Sequence, residues 1–208
     1  MDIGIDLIES YLRINGYFTL TEFEVQRQVQ GGGYETVTDV DVMGIRYPGE
    51  LLAAEEHDPT RRERLLVEDE VLKLNLDDVD VIIGEVKQGK AVWNPGLTRH
   101  HTLHAVINRI QWLYADPTHD VVKKLQDNPV CFSEARGGGS IRTRLVAFGR
   151  SPHNDLNTIS LTHVFEFLVG YFEEFDDVLK PAQIKAPSAA LVRLLVKTGF
   201  SVKKLDGL

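Results

Sequence analysis

The segment Val79 to Val86, VDVIIGEV, constrains the fold more than any other part of this 208-residue chain. Its Val and Ile side chains fill both phases of a period-two pattern, the mark of a strand covered on both faces at the centre of a layered α/β sheet. Glu85 breaks the run, and Lys87 follows two residues later. Alternation puts Glu85 and Lys87 on one face with Val81 and Ile83, and Ile82, Gly84 and Val86 on the other. A carboxylate and an ammonium at the end of the most hydrophobic strand need a physical reason, because buried charge is costly unless it is paired, neutralised or bound to a cation.

The rest of the chain supplies layers for such a strand. Residues 3–14, IGIDLIESYLRI, space Ile5, Ile8, Tyr11 and Leu12 as a helix that Asn15-Gly16 closes; Glu9 lies on it. Residues 17–29 and 34–47 are rich in β-branched and aromatic residues, and Gly31-Gly32-Gly33 between them predicts an antiparallel hairpin. A helix is expected around 60–73, before the central strand. After Pro95-Gly96, with Thr98 as the expected cap, Leu103, Val106, Ile107, Ile110 and Leu113 share one helical face. A short helix over 118–127, a strand over 141–150 and helices over about 158–176 and 188–198 complete an αβββαβ order with extra C-terminal helices. The helix over 158–176 is apolar nearly all round, so it is either deeply buried or shared with a second copy in a homodimer.

Composition enters through charge. Between Glu50 and Asp78 ten acids face four bases, and this segment holds −6 of the formal −8. The remainder is nearly neutral, so the total does not exclude a nucleic-acid partner although phosphate binding depends on Lys and Arg. No apolar run reaches the roughly 20 residues a membrane helix needs. The acidic opening MDIGID does not resemble a secretory signal, and a lone Cys131 fits a reducing compartment; a cytoplasmic protein is the expectation.

Two strands can bring Asp39 and Asp41, aligned by alternation, next to Glu85 and Lys87. Grouped carboxylates call for a proton or a divalent cation, and Mg²⁺ commonly takes one or two protein carboxylates with water and phosphate oxygens in its other positions. Such an ion lowers the pKa of a bound water and stabilises charge on a phosphate, while a neighbouring Lys positions the nucleophile or neutralises the transition state. Gly-Tyr-Phe after a helix carrying Glu, then VTDVDVMG, then VIIGEVKQGKA, within the αβββαβ order, resembles the PD-(D/E)XK nuclease superfamily with its restriction-endonuclease-like fold.

The resemblance spans residues 1–150, with the acidic stretch 48–78 as an insert and 151–208 as a helical extension packing on the core or forming a dimer interface. It implies that Asp41 and Glu85 bind Mg²⁺ or Mn²⁺, that Lys87 is the catalytic lysine, and that Glu9, with Asp6 as a rival, is the acid of the first helix. Asp39 and Gln88 are auxiliary candidates. DNA is the implied substrate and RNA the alternative; an inactive nuclease-like module that binds nucleic acid or protein is the rival function. Val40 stands where the name of the motif has Pro, and 44 residues separate Asp41 from Glu85. Extra core strands inside the insert would part these two acids.

His100 and His104 stand four apart on a helix, a spacing that suits zinc, but His101 occupies the place of the general-base Glu, and solvated histidines are the simpler reading. The triple glycines at 31–33 and 137–139 lack the flanking residues of a phosphate-binding loop and read as turns.

Overall fold

The computed structural model describes residues 2–50, 52–54, 62–64, 68–150, 157–175 and 186–201. Along them run helix α1 (Ile3–Ile14), strands β1 (Phe18–Gln28) and β2 (Tyr34–Arg46), short strands β3 (Leu52–Ala54) and β4 (Arg62–Arg64), strand β5 (Val79–Val86) and helices α2 (His100–Arg109) and α3 (Thr118–Asp127). Strands β6 (Val130–Glu134), β7 (Ser140–Gly149) and β8 (Thr158–Ser160) and helices α4 (Leu161–Glu174) and α5 (Pro187–Lys197) follow. The protein is an α/β protein built on a mixed six-stranded sheet.

The sheet runs β1-β2-β5-β7-β6, with β8 on the same edge of β7 as β6 but further along it. The β1–β2 and β2–β5 pairs are antiparallel, and β5 lies parallel to β7. Every residue of β5 is buried, as its two-phase hydrophobic pattern requires. One face of the sheet packs Ile82, Val86, Val146 and Phe148 against α1, α4 and α5 through Tyr11, Leu168 and Phe172. The other packs Val81, Ile83 and Leu145 against α2 and α3 through Leu103, Ile107 and Val122. Helix α4 is therefore part of the core: Val164, Leu168 and Phe172 are fully buried within this chain.

The expected helix over 60–73 does not form among the described residues. Arg62–Arg64 pairs as a strand with Leu52–Ala54, and Glu70–Leu72 is one 3₁₀ turn. Tertiary bonds override the local pattern here: Asp69 caps the turn at the Val71 N–H and is itself held by Tyr11 and His163, each at 2.6 Å. Lys73 then takes a left-handed backbone, φ 46°, which stops the turn. β2 and β5 are direct neighbours, and the described strands of the insert, β3 and β4, form a separate two-stranded sheet. Thr98 does not cap α2; Arg99 holds that position without a side-chain bond.

The end of the sheet remote from Glu85 is fastened by buried charge. Asp80 accepts from Arg142 Nε at 2.7 Å, from Arg144 at 2.7 Å and from the Tyr17 hydroxyl. Burial pushes Asp80 upward, but Arg144 and Arg142 overcome this and hold it below the usual carboxylate range. Arg142 also donates to the carbonyls of Leu72 and Lys73, tying the end of the insert to β7. Removing one member of such a cluster leaves uncompensated buried charge, so Asp80→Ala is expected to cost roughly 3–5 kcal/mol in chemical denaturation.

The Asp69–His163 pair gives folding a pH window. Its bond to Asp69 raises His163 against the effect of burial, so its contribution is complete below about pH 6.5 and fades as pH rises through the raised folded value. Burial pushes Asp69 up, but bonds from His163, Tyr11 and the Val71 N–H hold it lower, so its contribution is present above about pH 4 and fades in acid. Thermal midpoints measured across pH are expected to peak between these limits, and His163→Leu is expected to flatten the alkaline limb.

Candidate active site

The site forms where β2 and β5 separate. Their pairing runs from Arg46–Asp80 to Val42–Gly84 and stops. At this point the hairpin changes phase: Val42 packs with the α1 cluster and Val40, two residues away, with the α2 cluster. On β1, Glu22 lies between the partners of Val42 and Val40, hence opposite Asp41, and takes φ 51°, a region sparsely used by residues with a side chain. The alternation that would set Asp39 and Asp41 side by side therefore fails: Asp39 is exposed and Asp41 half-buried. The Asp41 carboxylate accepts the Val86 N–H at 2.6 Å, replacing the next bond of the ladder with a side chain at the mouth of the fork.

Glu85 lies one residue before Val86 and is only 2% exposed. One of its oxygens pairs with the Lys87 ammonium; the other, Oε2, is buried with no hydrogen-bond partner. Burial raises the pKa of Glu85, Lys87 counters this, and the charges of Asp41 and Asp39 add to the rise. Burial also raises Asp41, against the Val86 N–H and Lys87, with Asp39 and Asp2 reinforcing it. Burial works downward on Lys87, but Glu85, Asp41 and Asp39 hold it above its usual value, so it remains an ammonium across the neutral range. Asp39, Asp41, Glu85 and Lys87 thus form one electrostatic unit, with an excess of negative charge.

The remaining sequence candidates are placed less centrally. Glu9 pairs with Arg13 at 2.7 Å and accepts from Thr19 at 3.0 Å, and it is not among the leading charges acting on Asp41 or Glu85. Asp6 is buried in α1 and raised by burial and by Glu9, with Glu22 and Asp2 contributing. Gln88 is exposed in the loop after β5. His100 and His104 are exposed and stacked, ring centroids 5.9 Å apart.

Among the described residues no group of three or more His, Cys, Asp or Glu side chains converges as an ion cage. The donor set at the fork is instead two carboxylates, one of them carrying an unpartnered buried oxygen. That set suits a hard cation such as Mg²⁺, which completes its shell with water and substrate oxygens.

Sequence reasoning passed over the loop that follows Lys87. Trp93, Asn94 and Pro95 line a cleft of about 450 Å³ with Ala147 of β7 and Asn157 and Thr158 at β8. The WNP triplet three residues beyond Lys90 was its only signal, and nothing local ties that triplet to β7 or β8.

No protein-family model, no curated protein and no solved structure matches this chain. Among the described residues no helix is long and apolar enough to cross a membrane.

The raised carboxylates set a trade between stability and function. A group whose folded pKa is raised contributes stability below its unfolded value and loses it as pH rises through the folded one. Glu85→Gln, which mimics the protonated form, is therefore expected to stabilise the fold at pH 8 by on the order of 0.5–1 kcal/mol. The gain should vanish near pH 4 when both proteins are compared by thermal melting.

Proposed function

We propose that the protein is a nuclease dependent on Mg²⁺, or Mn²⁺ in its place, with a restriction-endonuclease-like core, hydrolysing phosphodiester bonds of DNA, with RNA as the alternative polymer. The observation that carries this reading is the buried, unpartnered oxygen of Glu85 beside Asp41 at the strand fork, with Lys87 at its rim. Placement of VTDVD and GEVK on neighbouring strands β2 and β5, in a sheet between helical layers, supports the resemblance to PD-(D/E)XK nucleases.

Asp41 and Glu85 would hold the ion. When bound, it would supply an acidified water and positive charge for the scissile phosphate. The protein residues divide the remaining work. Asp41 is oriented by the Val86 N–H, which fixes one of its oxygens and leaves the other for the ion. Lys87, 41% exposed at the side chain and held as an ammonium by the carboxylates around it, reaches solvent and would donate hydrogen bonds to a phosphate oxygen, offsetting the charge that develops there. Asp39, exposed and acting on Asp41 through its charge, would deepen the negative potential that draws the cation in.

The test uses purified protein with plasmid and single-stranded DNA, Mg²⁺, Mn²⁺ or EDTA, resolved on gels. Cleavage with either metal and none with EDTA is expected, with Lys87→Ala and Asp41→Ala each lowering the rate at least 100-fold while retaining the native circular dichroism. Cleavage undiminished in both variants, or none with any divalent ion on DNA or RNA, sinks the proposal; binding without cutting would define a non-catalytic module.

A further inference from the structure

The cleft beside the fork is uncharged where the fork is charged. Among the described residues that line it, from Ala91 to Thr98 and at Ala147, Asn157 and Thr158, no side chain carries a charge. Its wall begins one strand away from the site: Ala147 of β7 is the Cα partner of Glu85, so both side chains stand on the same face, about 4.8 Å apart across the sheet. The cleft is therefore within reach of the next group of a ligand that has one group at Glu85 and Lys87.

The walls are pre-formed. The Asn94 side chain accepts the Gly96 N–H at 2.9 Å and donates to Thr38 of β2 at 3.4 Å, anchoring the loop on one side of the fork. On the other side Arg150 donates its N–H to the Gly89 carbonyl at 2.6 Å. Gly149 lies so close to the loop that a Cβ there would fall 2.7 Å from Ala91 backbone atoms. Trp93 packs one part of its ring on the α2 cluster, while its indole Nε1 is buried with no acceptor. A buried donor without a partner is costly, so the Trp93 indole marks this wall as one whose polar groups are not satisfied within the protein.

We propose that this cleft receives an unpaired nucleobase next to the phosphate bound at Glu85 and Lys87, which makes single-stranded or locally unpaired nucleic acid the preferred substrate; the assignment rests on the hydrolytic reading of the neighbouring site. A phosphate in the cleft would find no cation among the described lining residues. A base instead brings a flat, uncharged body with in-plane acceptors, joined to its phosphate by a single sugar. It must be out of the duplex stack to enter a recess of this kind. Stacking on aromatic rings makes such binding tolerant of sequence, in keeping with the absence of a groove-reading motif in the chain.

The test measures binding separately from cutting. The full chain is titrated with Ca²⁺ in place of Mg²⁺, by fluorescence polarisation, against a labelled 12-residue oligothymidylate, the same strand carrying abasic sites, and a duplex of that length. The oligothymidylate is expected to bind at least tenfold tighter than either, and Trp93→Ala is expected to erase the preference over the abasic strand. Equal affinity for the base-bearing and abasic strands, or no binding of either, overturns the proposal even if Trp93→Ala fails to fold. Duplex cleavage with Mg²⁺ alongside equal affinities defeats the cleft assignment alone; base-dependent binding without any cleavage defeats the hydrolytic reading alone.

Discussion

The pairing of Asp80 with Arg142 and Arg144 is the interaction on which the rest of the arrangement depends. It joins β5 to β7 at the end of the sheet remote from the fork, and Asp80 lies directly opposite Arg142 in the parallel ladder. Five residues further along β5, the same register sets Glu85 opposite Ala147. A slip of one residue would turn Glu85 into the apolar α1 layer and Ile82 toward α2. The ion cluster adds direction to strands that hydrophobic packing alone would hold with less discrimination, because Val and Ile occupy both faces of β5. Tyr17, at the start of β1, joins the same carboxylate, so the hairpin is referred to that register too.

The fork itself follows from packing. Gly84 has no room for a side chain: a Cβ there would come within 2.6 Å of Val42 Cγ1 and 2.9 Å of Phe148 Cε2. This tight crossing is the last rung shared by β2 and β5. Beyond it the hairpin changes phase, Glu22 adopts a strained backbone, and the Asp41 side chain caps the freed Val86 amide. Strain and buried like charge are concentrated in one place, the pattern expected where a structure is organised for binding rather than for its own stability.

Much of the fold was legible in residue order. The double-phase hydrophobic run of β5 announced a strand covered on both sides, the glycine triplet announced the hairpin, and Leu103, Val106 and Ile107 announced the face of α2. All depend on near neighbours, where periodicity and turn chemistry act. Other features were not legible for the same reason. The 3₁₀ turn at Glu70 replaces a helix because Tyr11 and His163, 58 and 94 residues from Asp69, claim its carboxylate. Strand β6, five residues long, and β8, three residues long, are too short to show a period and exist because β7 offers them an edge.

The sequence by itself offered candidates for chemistry: type and strand position grouped Asp39, Asp41, Glu85 and Lys87, and the resemblance to a nuclease motif selected Asp41, Glu85 and Lys87 among them. Only the tertiary structure decided how they meet. The break in alternation at Asp41, the stranded oxygen of Glu85, the commitment of Glu9 to Arg13 and Thr19, and the cleft shared by the Trp93 loop with β7 and β8 all arise between segments distant along the chain. The physical reason is that burial and charge–charge coupling depend on distance in space, and no period in the sequence encodes which strands lie side by side.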